Sequence, residues 1–291
     1  MQPPRTTTTT TAGETIQNFR PARGLDGVYR CAKPDGLAVA KNDESEAARI
    51  VRNEAGLIVD LRSASERNQT QCDQWMRETG SFVVQDGRYD RVEGQRICLR
   101  LDPLSPEKIL AYLDNWMTPD EKRQALWYKL VSGDKLHNLR MDVWNRNGLK
   151  GLNEAILECG KDELKEGLMA LVQHREVSAS PAVVHCVQGK DRTGLLVMLC
   201  QSVLGIPDED ILADYNESER TFGETAAAAV VQGKLDRRVF RGAPKPVMEW
   251  TLSYLREKHG SVEGYLNHIG FDDMWQNRLR KALGSPVSSK L

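Results

Sequence analysis

Ten consecutive residues of this chain combine a nucleophile with an anion cradle: His185-Cys186-Val187-Gln188-Gly189-Lys190-Asp191-Arg192-Thr193-Gly194. They follow a short apolar run, Pro181-Ala182-Val183-Val184, and precede a stretch that is apolar almost all round, Leu195 to Leu204. A strand, a short polar loop and a helix N-terminus make an anion site. Loop N–H groups converge there, and the helix dipole adds partial positive charge. The same field favours a thiolate at the start of the loop. An arginine six positions after the cysteine closes the loop and presents a two-pronged fork to phosphate oxygens. The chemistry implied is attack of a thiolate on a phosphate ester, through a phosphocysteine intermediate.

Cysteine with arginine six positions on is a weak signal alone. With six cysteines in the chain and arginine at about 6% of residues, chance supplies one such pair roughly three times in ten. Histidine before, glycine three after and threonine following the arginine bring chance below about 1 in 10,000. The other five cysteines have Leu37, Glu78, Leu104, Lys165 and Ile206 in the arginine place.

The elements that must hold this loop are legible from pattern. Gly27 to Arg30, Leu57 to Leu61, Ser81 to Val84, Arg96 to Leu101 and Pro181 to His185 read as strands. Leu57-Ile58-Val59 is a continuous apolar run, as in a strand buried on both faces. Helices are expected over Pro106–Met117, from a Thr118-Pro119-Asp120-Glu121 start, and over Lys161–Gln173, Thr193–Leu204, Pro207–Tyr215, Pro246–Leu255 and Asp272–Leu283. The expected fold is α/β: one central, mostly parallel sheet flanked by helices, with the loop at a strand's carboxyl end. Residues 1–15, with the run Thr6–Thr11, read as a disordered tail. Residues 16–285 read as the folded domain, with 105–150 as a helical region, and 286–291 as a second tail.

The loop resembles the signature of the cysteine-dependent protein tyrosine phosphatases. Its full form is similar to the atypical tyrosine phosphatase family 3 branch. Asn18-Phe19-Arg20 with Gly27-Val28-Tyr29-Arg30, Ile58-Val59-Asp60-Leu61-Arg62-Ser63…Glu66, Gly205-Ile206-Pro207…Ala213-Asp214-Tyr215 and Gly260-Ser261-Val262-Glu263-Gly264-Tyr265-Leu266 resemble further blocks of that branch. The resemblance implies a fold of the tyrosine phosphatase type. It makes Cys186 the nucleophile and Arg192 the phosphate clamp. The backbone of Val187, Gln188, Gly189, Lys190, Asp191 and Arg192 becomes the cradle, and Thr193 a hydrogen-bond donor to the sulfur. His185 is expected to orient the loop from behind. Lys190 has no structural reason to sit in a loop around an anion, and its placement is similar to that of phosphoinositide phosphatases.

A general acid must protonate the leaving oxygen, and three aspartates are candidates. Asp191 lies in the loop and is the residue suspected in this branch. Asp102 follows the Arg96–Leu101 strand, where dual-specificity phosphatases keep their acid. Asp60 ends its strand near the loop, with a structural tie to Arg62 or to loop amides as the plainer reading. No Trp-Pro-Asp sequence is present.

Composition bounds the rest. Hydrophobic residues make up 40% and charged residues 28% of 291, an ordinary soluble globular balance. Forty Lys and Arg against 41 Asp and Glu leave a formal charge of −1, so a general nucleic-acid-binding surface is not expected. No apolar run approaches the roughly 18–20 residues that cross a bilayer. The six cysteines contain no C-x-x-C pair, which speaks against a zinc site or disulfide framework and for reduced thiols in a cytoplasmic protein. Met1 to Thr15 has no apolar h-region, so no signal peptide is expected, although Arg5, Arg20 and Arg23, ahead of much of the acidity, also suit a short organelle-targeting segment. Neither cofactor nor metal is implied. The expected partner is a phosphorylated protein, with a phosphoinositide or inositol phosphate as the alternative substrate. A non-catalytic phosphate-binding module is the alternative of another class. Trp116, Trp127, Trp144, Trp250 and Trp275 fall in helical segments and read as core packing. Arg237, Arg238, Arg241 and Lys245 read as a solvated basic stretch.

Overall fold

The computed structural model describes residues 16–40, 42–68, 76, 82–222, 236 and 238–284. The two expected tails, 1–15 and 286–291, lie outside the described residues. The chain begins with β1 (Arg20–Pro21) and β2 (Val28–Cys31), then short helices α1 (Gly36–Val39) and α2 (Glu46–Arg49), the latter running into a π-helical turn, Ile50–Glu54. Next come β3 (Leu57–Asp60), α3 (Ala64–Asn68), β4 (Phe82–Asp86) and β5 (Arg96–Arg100). Four helices follow: α4 (Pro106–Trp116), α5 (Pro119–Val131), α6 (Gly133–Cys159) and α7 (Lys161–Val177). After β6 (Ala182–His185) come α8 (Asp191–Val203), α9 (Asp208–Asn216), α10 (Glu219–Phe222), α11 (Lys245–His259), α12 (Val262–His268) and α13 (Asp273–Leu283).

The six strands form one sheet in the order β1-β2-β6-β3-β5-β4. Only the β1–β2 pair is antiparallel, so the fold is the expected α/β layer structure. The apolar runs of β3 and β6 are explained by position: both strands are central and every residue in them is buried. Successive side chains serve opposite faces. Leu57, Val59 and Val184 join the large core made with α7, α8, α11 and α13. Ile58, Cys98 and Val183 join Leu37, Ala48 and Val51 on the other side.

Register puts the strand ends level. Cys31 and Asp60 both pair with His185, and Asp60 also pairs with Arg100. The segments after β2, β3, β5 and β6 therefore leave from one edge of the sheet, where ligands bind in open α/β folds.

The region 105–150 is helical and has its own small core of Leu113, Met117, Val143, Trp144 and Ala155, with Phe240 packed against it. The Thr118-Pro119-Asp120-Glu121 start forms a reciprocal capping box. The 27-residue α6 is broken at Gly148, whose φ of 53° no helix adopts. Trp144 is buried as expected, but Trp127 is 60% exposed, beside exposed Leu126, Leu130 and Val131. The reason is that α5 turns its Glu121, Ala125 and Tyr128 side inward and pairs Glu121 with Arg146 of α6, leaving the apolar stripe outside. No described helix is long and apolar enough to cross a membrane.

Candidate active site

The loop joins β6 to α8, and α8 starts at Asp191, two residues before the expected Thr193. Asp191, Arg192 and Thr193 are thus the helix's first turn. All but the first residue of α8 up to Gln201 is buried, so the helix is fixed on the core and carries the loop with it.

Cys186 is 2% exposed. Its Sγ accepts a hydrogen bond from the Gly189 N–H at 3.2 Å. Gly189 has φ +68°, and a Cβ there would sit 2.1 Å from the Cys31 carbonyl oxygen, so only glycine fits. The loop carbonyls are bonded on its outer side. His185 Nδ1 donates to the Cys186 carbonyl at 3.3 Å, and the Lys33 N–H donates to that of Val187 at 3.1 Å. Asn18 Nδ2 donates to the Gln188 and Gly189 carbonyls at 3.0 and 3.1 Å. Arg30 Nη2 donates to Gly189 as well, at 2.9 Å. Thr193 Oγ1 is buried without a hydrogen-bond partner, so the expected bond to the sulfur is not formed.

Arg192 is held by Glu66, to which the sequence motif assigns no role. Glu66 of α3 accepts from Arg192 Nη1 at 2.6 Å and from Nη2 at 2.8 Å, and the Leu61 carbonyl accepts from Nη1 at 3.0 Å. A guanidinium has five N–H donors. These three bonds use both of those on Nη1 and one on Nη2. The Nε–H and the remaining Nη2–H, side by side on one edge, are left for an oxyanion. Burial raises the Glu66 carboxyl, but Arg192 outweighs it and holds the group below the usual range. Burial alone would lower the Arg192 guanidinium; Glu66 and the neighbouring Cys186 reverse that and raise it.

The three aspartates separate clearly. Asp60 is wholly buried and tied to Arg62, with Nε to Oδ1 at 2.8 Å and Nη2 to Oδ2 at 2.7 Å. Burial would raise its carboxyl; the His185 ring and the Arg62 contacts override this and hold it at about 2. His185 itself is pushed down by burial, and its Nε2 lies 3.9 Å from Asp60 Oδ1 without a hydrogen bond. Asp191 Oδ1 accepts from Lys190 Nζ at 2.8 Å. Asp102 leaves the end of β5, with the Leu104 N–H donating to Oδ1 at 3.3 Å. Its carboxyl is raised, by burial first, with Glu66 pushing the same way and Arg67 and Arg192 opposing.

The reading of Lys190 is corrected. Its ammonium has a structural reason, being 1% exposed and bonded to Asp191 and, at 3.1 Å, to the Phe240 carbonyl. Among the described residues no cluster of three or more His, Cys, Asp or Glu could hold a metal ion. Arg238 of the basic stretch pairs with Asp236, while Arg237 lies outside the described residues.

The Asp60–Arg62 pair gives a stability prediction. Asp60→Ala leaves the buried guanidinium without its principal carboxylate, at a cost of about 3–5 kcal/mol. Urea unfolding at neutral pH measures it, and a loss under about 1 kcal/mol would refute the role. The folded carboxyl titrates at about 2 and a free aspartate near ~4. The pair's stabilisation is therefore complete above about pH 4 and is lost as pH falls through 2.

Taken together, a mostly parallel α/β sheet carries at its carboxyl edge a loop with a buried cysteine, between β6 and a buried helix. The chain belongs to the tyrosine phosphatase family, whose model matches residues 25–285. It is 36% identical over 92 residues, 28% of this chain, to a Cupriavidus necator protein named as a candidate tyrosine-protein phosphatase. It is 29% identical over 124 residues, 35% of this chain, to the triple specificity protein phosphatase PtpB of Mycobacterium tuberculosis. These matches cover 32% and 44% of the two relatives' own lengths.

Proposed function

We propose that the protein hydrolyses phosphate monoesters, with phosphotyrosine-type phosphoproteins as substrate, through a phosphocysteine on Cys186. The observation that carries this reading is the Cys186 sulfur lying inside the loop, with Arg192 held by Glu66 so that one donor edge stays open. In the first step the thiolate forms an S–P bond as the ester P–O bond breaks. The Asp102 carboxyl gives its proton to the leaving oxygen. In the second step the Asp102 carboxylate takes a proton from water, whose oxygen attacks phosphorus. The S–P bond breaks, phosphate leaves and the thiolate returns.

Asp102 is preferred over Asp191 because a donor must hold its proton. Asp102 is raised by its surroundings, whereas Asp191 is ion-paired to a lysine. Asp60 serves as a structural anion. The phosphoinositide alternative rests on Lys190, whose ammonium spends two of its three donors on Asp191 and Phe240, so the phosphoprotein reading stands first. Comparing rates on phosphopeptides and phosphoinositides tests that choice; faster lipid turnover would reverse it. Tight phosphopeptide binding without any turnover would favour the binding-module reading.

Asp102→Asn is expected to lower kcat on phenyl phosphate by about 10²–10³-fold, with a smaller loss on an ester whose leaving group needs no proton. The descending limb of the pH profile, where activity falls as Asp102 deprotonates, should vanish in the variant. Asp191→Asn should lose less than about tenfold; the opposite ranking would move the proton donor to the helix.

A further inference from the structure

One residue outside the loop holds two of its peptides. Asn18 is buried and has φ 55°, and it is the one non-glycine residue at positive φ among the described residues. Asparagine tolerates this left-handed conformation better than other side chains, and here the side chain is fixed by an extended set of bonds. Its Nδ2 donates to the carbonyls of Gln188 and Gly189 and to Ser218 Oγ at 3.2 Å. Its Oδ1 accepts from Arg20 Nη1. Arg20 in turn donates from Nε to Asp214 Oδ1 at 3.3 Å and from Nη2 to the Asp214 carbonyl at 2.7 Å. Arg30 bridges Asp214 Oδ2, at 2.8 Å, to the Gly189 carbonyl.

The peptide unit is planar and trans, so its C=O and N–H point in opposite directions. Holding the Gln188 carbonyl outward turns the Gly189 N–H inward, where it reaches Cys186 Sγ. Holding the Gly189 carbonyl outward turns the Lys190 N–H inward by the same rule. Gly189 is the loop position where the peptide could most easily flip, since glycine samples both signs of φ. A flipped peptide would aim a carbonyl at the phosphate, and each inward donor is worth a large factor in rate.

We propose that Asn18 is a positioning residue that locks the Gln188 and Gly189 peptides with their N–H groups toward the phosphate. This rests on the phosphatase reading above. Arg30, oriented by Asp214, supports the second of the two peptides. Asn18 touches neither substrate nor sulfur and acts through the loop backbone alone.

Two variants of the full chain separate aiming from mere backbone tolerance. Asn18→Gly adopts φ 55° without strain but removes the amide. Asn18→Asp keeps the size but sets oxygen against two carbonyl oxygens. The readouts are kcat and KM on phenyl phosphate and the Kd of tungstate by calorimetry, with thermal unfolding alongside. Asn18→Gly should lower kcat/KM by about 10–100-fold and weaken tungstate by about tenfold, a loss shared between kcat and binding. Asn18→Asp should lose more than Asn18→Gly. Arg23→Ala, which breaks an exposed pair with Asp210, should change neither readout. Either Asn18 variant, folded and with tungstate affinity and kcat/KM within twofold of the parent, overturns the proposal, so one folding variant suffices. A parent protein that neither turns over phenyl phosphate nor binds tungstate defeats the phosphatase reading instead.

Discussion

Replacing Cys186 with serine is expected to end turnover while leaving the oxyanion site standing. The hydroxyl is a poor nucleophile at neutral pH without an adjacent base. His185 does not serve as that base, because its Nδ1 donates to the Cys186 carbonyl, its Nε2 faces Asp60 at 3.9 Å, and its ring is fully buried. The expected loss in kcat on an aryl phosphate is at least about 10⁴-fold, or roughly 5.4 kcal/mol of barrier. The inward Gly189 N–H and the Arg192 edge do not depend on sulfur, so tungstate should bind Cys186→Ser within about tenfold of the parent. Full activity in the variant would sink the phosphocysteine mechanism outright. Inhibition of the parent by chelators would point to a different chemistry on the same loop.

Arg192→Lys is the second substitution with a large effect, although it conserves charge. A lysine ammonium is a point donor on a flexible stem and cannot grip both Glu66 oxygens, the Leu61 carbonyl and a phosphate together. The fork is lost, and Glu66, now without its planar partner, presents a carboxylate to the incoming anion. The expected fall in kcat/KM is about 10²–10⁴-fold, with weaker tungstate binding. Measuring both readouts on Glu66→Gln completes the test. That variant keeps one acceptor for the guanidinium and should lose far less. If Arg192→Lys lost no more than Glu66→Gln, the open edge of the guanidinium would not be the phosphate clamp.

How far the sequence reaches depends on the range of the interaction. The runs Leu57-Ile58-Val59 and Ala182-Val183-Val184 announce buried strands because burial on both faces demands continuous apolar residues. The loop's expected role is legible because spacing along ten residues is local. The capping box at Thr118 is local too, and it forms as read. The bond from Lys190 to Phe240 spans fifty residues and obeys no period, so an apparently surplus lysine turned out to be a partnered one. Glu66 follows Arg62-Ser63 in a segment whose resemblance was visible, yet its grip on Arg192 requires knowing that β3 lies beside β6. The exposed stripe of α5 escaped for a related reason: helical spacing says which residues share a face, not whether anything covers it.

The bonds that hold the cradle also set when it can come into being. Asn18 meets Gln188, Gly189 and Ser218 across separations of 170, 171 and 200 residues. Contacts so distant along the chain must close large loops before they are rewarded, and they form late. A chain leaving the ribosome has synthesised β2 and β3 long before it holds the cysteine. Even when Cys186 emerges, Asp214 and Ser218 are still to come. Cys186 is therefore without its surrounding loop contacts through most of synthesis, and it acquires them only with the closing of nearly the whole domain.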